Sequence, residues 1–310
     1  MARHQISENV RRRAGLLGEA GAAWLAGVDG LVDDLAREWD LDLGASLQGG
    51  TEALVLEATL ADGRPAILKL TLPGIDRRGG ELATLRLAGG RGYAEVYRHD
   101  GARRAVLMER LGPQLHELGW PIEAQIEAIC ATLQAAWTRP ADLSGLMTGA
   151  EKAAGLARLI SRRWAATGRP CAERTIETAL AFAEDRRRAY DPKAAVLAHG
   201  DAHAWNTLQV PGADPARFKF VDPDGLFAEP AYDLGIAMRE WEDELLAGDP
   251  LALGRARCAL LSRLTGVPEE PIWRWGFLER VSTGLLLKEM GLDELAGNFL
   301  KVADAWAGSP

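Results

Sequence analysis

His199-Gly200-Asp201-Ala202-His203-Ala204-Trp205-Asn206, followed at 222–225 by Asp222-Pro223-Asp224-Gly225, is the most chemically specific part of this 310-residue chain. Asp201 and Asn206 stand five residues apart, and Asp222 closes the run Phe218-Lys219-Phe220-Val221. Phosphoryl transfer from a nucleotide asks for oxygens in such an arrangement. One carboxylate accepts or orients the proton of the attacking hydroxyl. A carboxamide and a second carboxylate hold Mg²⁺, a hard cation that prefers oxygen and neutralises charge on the phosphates. Asn206 and Asp222 supply those two groups without a soft ligand. The runs at 207–210 and 218–221 predict a hairpin that brings both to one mouth.

Upstream, the hydrophobic period changes. Residues 16–39 carry Leu and Trp at helical spacing, interrupted near Gly27 and Gly30, which predicts two short helices. From Leu54 the pattern is extended, and Asp62-Gly63 between two apolar runs predicts a hairpin with Lys69 on its second strand. A helix over 77–90 and short strands at 94–98 and 104–108 complete an α+β N-terminal lobe, residues 1–110. After Gly112-Pro113 the chain turns helical over 122–137, 151–167 and 173–190, is interrupted by the loop-rich island at 195–226, and resumes helix beyond Pro230. The C-terminal lobe is therefore residues 111–310. A cleft between two lobes is the expected place for a ligand.

Composition removes several classes. The chain has 36 Lys+Arg against 44 Asp+Glu, a formal charge of −8 and a sequence pI near 5.3. Nucleic acid and anionic membrane surfaces both need a basic face, so neither is expected as a partner, and no obligate protein partner is inferred. No apolar run reaches the length of a membrane span, and the N-terminus lacks the apolar core of a secretory signal. Cys130, Cys171 and Cys258 are isolated, which speaks against a disulfide framework or a cysteine zinc site and fits a cytoplasmic setting.

The His-Gly-Asp-x-His-x-x-Asn stretch followed by Val-Asp-Pro-Asp-Gly resembles the aminoglycoside phosphotransferases, whose fold is protein-kinase-like. The segments at 21–32, 60–70 and 107–113 make the chain most similar to the branch containing streptomycin 6-kinases and hydroxyurea-resistance kinases. The resemblance implies a bilobal α+β enzyme that uses ATP or GTP with Mg²⁺ to phosphorylate a hydroxyl of a small cationic acceptor. It implies that Asp201 is the catalytic base, Asn206 and Asp222 the metal ligands, and Asp224 a further metal-shell carboxylate. Lys69 corresponds to the strand lysine that grips the phosphates, and Glu81 to its helix partner. Leu107, Met108 and Glu109 fall where the interlobe segment offers backbone groups to adenine. Asp233 matches an aspartate that braces the catalytic loop. The turn 47–52 departs from the pattern, having no full Gly-x-Gly-x-x-Gly; amides of Gly49, Gly50 and Thr51 are the candidates for phosphate cover there.

Segment 227–250 holds seven carboxylates against Arg239 alone. One reading is a solvated helix with Leu234, Met238, Trp241 and Leu245 as its buried stripe. The other is a cation-collecting wall for the acceptor, with Glu240, Glu242 and Asp243 as its candidates. Trp205, beside Asn206, reads either as a core wedge or as a wall of the acceptor pocket, with the core reading preferred, and nothing in the tryptophan spacing marks an aromatic platform. Arg11–Arg13 and Arg186–Arg188 read as solvated faces. Alternatives are a metabolic kinase of the same fold, a non-catalytic nucleotide-binding regulator, and a metallohydrolase with His199, Asp201 and His203 as ligands. A structural role for His199, orienting the loop through hydrogen bonds, is preferred to the last.

Overall fold

The computed structural model describes residues 4–48, 50–75, 80–140 and 145–308. The chain divides into two compact units, Met1–Gly112 and Pro113–Pro310.

The first unit begins with α1 (Glu8–Leu16) and α2 (Glu19–Trp39). Ser7 caps α1, its side chain accepting from the Val10 N–H, the arrangement that satisfies an otherwise orphaned amide. The interruption expected near Gly27 and Gly30 is absent. α2 runs unbroken through both glycines, and the break lies earlier, at Leu17-Gly18. Each interior glycine costs about 1 kcal/mol of helix propensity. Burial of Trp24, Val28, Val32 and Leu35 at roughly 1.5–3 kcal/mol per large apolar side chain outweighs that cost.

A five-stranded antiparallel sheet follows, in the order β1-β2-β3-β5-β4. Its strands are β1 (Leu41–Leu47), β2 (Ala53–Leu60), β3 (Pro65–Thr71), β4 (Val96–Asp100) and β5 (Ala105–Glu109), with α3 (Gly80–Ala88) between β3 and β4. The Asp62-Gly63 hairpin forms, with Leu54 opposite Leu70 and Leu56 opposite Leu68. Period-two alternation puts these leucines into one core with α1 and α2 and turns Lys69 to the other face.

The second unit is mainly helical: α4 (Ile122–Ala136), α5 (Gly149–Ala166), α6 (Glu173–Ala189), α7 (Ala231–Arg239), α8 (Glu242–Leu246), α9 (Pro250–Thr265), α10 (Glu269–Glu289) and α11 (Asp293–Trp306). Two small sheets carry the island. One orders β6 (Met147–Thr148), β10 (Leu226–Ala228) and β7 (Val196–Ala198); the other is the hairpin of β8 (Thr207–Gln209) and β9 (Phe218–Phe220). α7 and α10 cross closely because both carry glycine at the contact. A Cβ on Gly235 would lie 2.7 Å from the Trp275 Cβ, and one on Gly276 2.4 Å from the Met238 Cβ.

The acidic segment is not one helix. α7 stops at Arg239, Trp241 takes a left-handed φ of 53°, and α8 starts anew. Leu234, Met238 and Leu245 are buried, but Trp241 is only half-buried. Arg186 is also not a solvated residue: it is buried and paired with Glu229 and Glu270.

Candidate active site

In the first unit Lys69 sits mid-strand on β3, between Val55 of β2 and Val106 of β5. It is 8% exposed, and its ammonium group meets Glu81 of α3 at 2.5 Å. Strand alternation and the position of Glu81 in the first turn of α3 bring the two together. A lysine held in this way presents a fixed positive charge for phosphate oxygens.

The neighbouring candidates lie in the same sheet and in the turn beside it. Met108 and Glu109 lie within β5, opposite Ile67 and Ala66, and the Glu109 N–H donates to the Glu95 carbonyl. That amide is therefore engaged in the sheet and is not on offer to a base. Thr51 and Gly50 lie in the turn between β1 and β2, where the Gly50 carbonyl accepts from the Ser7 hydroxyl at 2.9 Å. Gly49 lies outside the described residues.

The second unit assembles the island residues. His199 is fully buried at the end of β7. Its Nδ1 accepts from the Asp201 N–H at 3.1 Å, so the proton is on Nε2, which donates to the Val221 carbonyl at 2.9 Å. Both ring nitrogens are thus engaged in shaping the loop, as the structural reading of His199 requires. Among the described residues no group of three His, Cys, Asp or Glu side chains is arranged to hold a metal ion. Gly200, at φ +93°, admits no side chain: a Cβ there would meet the Asp224 Cβ at 2.6 Å.

Asp233, buried at the start of α7, accepts from the His199 N–H (3.0 Å), the Gly200 N–H (2.8 Å) and the Trp137 indole (2.9 Å). Burial pushes its carboxyl pKa up, against the pull of these donors. Three donors converging on one buried carboxylate fix the loop backbone just before Asp201.

Asp201 itself is gripped on both oxygens. Oδ1 accepts from Arg239 at 2.8 Å, and Oδ2 from His203 Nε2 at 3.2 Å. His203 Nδ1 accepts from the Trp205 N–H, which fixes the tautomer with its proton toward Asp201. Burial would raise the Asp201 pKa, but the His203 hydrogen bond and the Arg239 charge outweigh it and hold the carboxyl well below the usual carboxylate range. Asp201 is consequently an oriented anion.

Arg239 was visible in the sequence only as the one cation in an acidic run. The fold places it among Asp201, Glu240 (3.0 Å) and Glu279 (3.9 Å). Glu279 of α10 also accepts from the Tyr232 hydroxyl at 2.5 Å, and Lys152 of α5 lies 3.9 Å from Glu279 and 3.7 Å from Asp224. Asp224 therefore faces an ammonium group. These partners come from helices far apart in sequence, and the lone arginine was the one clue to them.

The hairpin of β8 and β9 pairs Thr207 with Phe220, and the Val221 N–H donates to the Asn206 carbonyl at 3.0 Å. Asn206 and Asp222 accordingly flank the same open end. The Asn206 amide nitrogen donates to the Asp201 carbonyl at 3.1 Å, leaving its side-chain oxygen as the atom for a cation. Asp222 is exposed and adopts a left-handed φ of 55°. An all-oxygen pair of one carboxamide and one carboxylate fits Mg²⁺, which takes few protein ligands and keeps others for water or phosphate.

Of the proposed acidic wall, Glu240 bonds Arg239, while Glu242 and Asp243 open α8, half-buried and exposed respectively. Trp205 is not a core residue: it is 55% exposed.

Comparison with known proteins agrees with the α+β class and kinase-like architecture. The chain is 27% identical over 293 residues to a streptomycin 6-kinase from Streptomyces glaucescens, covering 94% of this chain and 93% of that one. It is 31% identical over 269 residues to a hydroxyurea phosphotransferase from Kitasatospora aureofaciens, covering 80% and 74%. A crystal structure of a choline kinase from Streptococcus pneumoniae superposes with a TM-score of 0.60 at 16% identity, over 90% of this chain and 98% of that one. At that identity it shows the fold alone. The family model described as aminoglycoside/hydroxyurea antibiotic resistance kinase matches residues 38–291, the stretch that carries the paired Lys69, the gripped Asp201 and the Asn206–Asp222 mouth, and this chain belongs to that family.

Proposed function

We propose that this chain transfers the γ-phosphoryl group of ATP to a hydroxyl of a cationic aminoglycoside of the streptomycin type. The observation that carries the reading is Asp201, held as an anion by Arg239 and His203 beside the hairpin end bearing Asn206 and Asp222. The similarity to a streptomycin 6-kinase over nearly the whole chain supports the acceptor class.

In this reading Asp201 receives the hydrogen bond of the acceptor hydroxyl, orients the oxygen, and takes the proton late, because a loose transition state needs little base strength. Lys69 holds phosphate oxygens, and Glu81 fixes the direction of its ammonium group. Asn206 and Asp222 are the residues that would hold Mg²⁺, which when bound supplies charge neutralisation on the phosphates. Lys152 supplies the positive charge beside Asp224. Free thiols at Cys130, Cys171 and Cys258 and dependence on ATP or GTP support a cytoplasmic setting.

The test is nucleotide consumption with Mg²⁺ and either ATP or GTP, across streptomycin, 2-deoxystreptamine aminoglycosides, hydroxyurea and choline. Streptomycin turnover with poor activity on the 2-deoxystreptamine compounds is expected. Turnover confined to choline or another metabolic alcohol would overturn the acceptor assignment.

A further inference from the structure

Trp205 lies inside the catalytic loop, four residues after Asp201 and immediately before Asn206. Two consecutive turns fold this segment, with the His203 N–H donating to the Asp201 carbonyl and the Asn206 N–H to the His203 carbonyl. Among the described residues it is the one aromatic side chain that ranks with the exposed large hydrophobics. Exposing so large an apolar surface forgoes several kcal/mol of burial, and the loop does so next to its reacting groups.

The indole is also held firmly. The His116 ring stacks on it with centroids 3.3 Å apart and planes at 24°, so one face is covered and the other faces outward. His116 belongs to a short 3₁₀ turn, Leu115–Leu118, that is itself anchored. Leu115 is fully buried, the Gln114 N–H donates to the Glu117 carboxylate, and Gln114 bridges to Leu208 of β8. Burial pushes the His116 imidazole pKa down. A neutral ring beneath the indole leaves its π face attractive to an outside cation, where an imidazolium would compete for it.

The acidic segment, by contrast, is largely consumed internally. Glu229 bonds Arg186 and Trp275, Asp233 braces the loop, and Glu240 and Glu244 pair with Arg239 and Arg257. Asp249 caps α9. Carboxylates already neutralised by arginine contribute little to collecting a cationic ligand.

We infer that the open face of Trp205, backed by His116, is the platform on which the acceptor's guanidino or amino-sugar ring stacks. The inference deepens the acceptor reading above and rests on it. The acceptor hydroxyl must reach Asp201, so the rest of a small rigid acceptor lies against the surface adjoining this loop. An aromatic face reads a cation by its quadrupole and a sugar ring by contact, without demanding that its carboxylates stay unpaired.

The test compares wild type, Trp205→Ala, Trp205→Phe and His116→Ala with streptomycin as acceptor. Trp205→Ala is expected to raise the KM for streptomycin about tenfold, the scale of a partly desolvated cation–π contact. Trp205→Phe should recover most of that loss, and His116→Ala should fall between because the indole loses its backing. The KM for ATP should stay within about twofold of wild type in all three variants, because the platform touches only the acceptor. An unchanged streptomycin KM in Trp205→Ala would overturn the inference while leaving the acceptor reading intact. A rise confined to the ATP KM would overturn it in favour of a nucleotide contact. Absence of streptomycin turnover and binding in wild type would instead remove the acceptor reading, and the platform with it. Thermal melts of the variants check folding; a shared collapse of both KM values and melting temperature in Trp205→Ala alone, not in Trp205→Phe, would count against a binding role.

Discussion

At the start of α7, Asp233 offers a buried carboxylate to two loop amides and the Trp137 indole; at its end, Arg239 offers a half-buried guanidinium to Asp201, Glu240 and Glu279. The two residues are about 9 Å apart along the helix axis at 1.5 Å per residue, and both act on the same loop. The first holds backbone, so it sets where the loop lies. The second holds a side chain, so it sets the ionisation and direction of Asp201. Opposite charges suit the two tasks: N–H groups need an acceptor, and a carboxylate required as an anion needs a cation. The arginine end is itself secured, since Arg280 of α10 donates to the carbonyls of Met238 and Arg239 at 2.9 and 2.7 Å. Burial pushes the Arg280 pKa down to about 9, and its guanidinium lies over Phe299 and Trp306.

Asp201→Asn removes the group that both ends serve and should have the largest effect. Turnover is expected to fall at least about 1,000-fold, the upper range for loss of a proton acceptor, while nucleotide affinity by titration stays within about threefold. Normal turnover would sink the base assignment.

The comparison itself is tested by pairing Asp233→Asn with Arg239→Lys. An amide at 233 sets its NH₂ against incoming N–H donors, so Asp233→Asn should lose about 3 kcal/mol in urea unfolding and raise both KM values. Arg239→Lys keeps the charge but loses the planar fork, so kcat should fall about tenfold with the KM for ATP and the urea midpoint nearly unchanged. If both variants show one pattern, the division of labour between the ends of α7 is wrong.

The pH dependence of stability offers a finer separation. Asp201 has its pKa lowered by folding, so its contribution is present above the unfolded value near 3.9 and disappears as pH falls through the folded one. Asp233 has its pKa raised, so its contribution has the opposite slope: stability declines as pH rises from the unfolded value through the folded one. Urea unfolding from pH 3 to 6 should therefore show a steeper net rise with pH in Asp233→Asn than in wild type. An identical slope would mean that Asp233 does not titrate differently on folding.

The smallest effect is a control on local change. Burial pushes the thiols of Cys130, Cys171 and Cys258 up to about 12, so native protein at pH 8 should resist alkylation until unfolded. Arg239→Lys should be equally inert; rapid labelling would show that the variant loosens the whole unit rather than one side chain.

Much of this arrangement was legible because it is local. The Asp62-Gly63 turn, the alternation that turns Lys69 away from Leu68 and Leu70, and the hairpin joining Asn206 to Asp222 all follow from neighbours within a few residues. Elsewhere local signals misled. Gly27 and Gly30 weaken a helix in isolation, but Trp24, Val28, Val32 and Leu35 bury against the sheet and hold it together. Periodicity suggested one helix across 227–250, whereas the left-handed Trp241 ends it and frees Glu240 to meet Arg239.

The sequence by itself determined which groups meet locally: an aspartate, an asparagine and a second aspartate at spacings that short turns convert into a hairpin mouth, and a lysine on a strand of a predicted hairpin. Only the tertiary structure decided what surrounds that chemistry. Arg239 meets Asp201 across 38 residues and Glu279 across 40 because two glycines let α7 and α10 approach, and no local pattern encodes such an approach. The same is true of Trp205, which is 55% exposed with the His116 ring stacked on one of its faces.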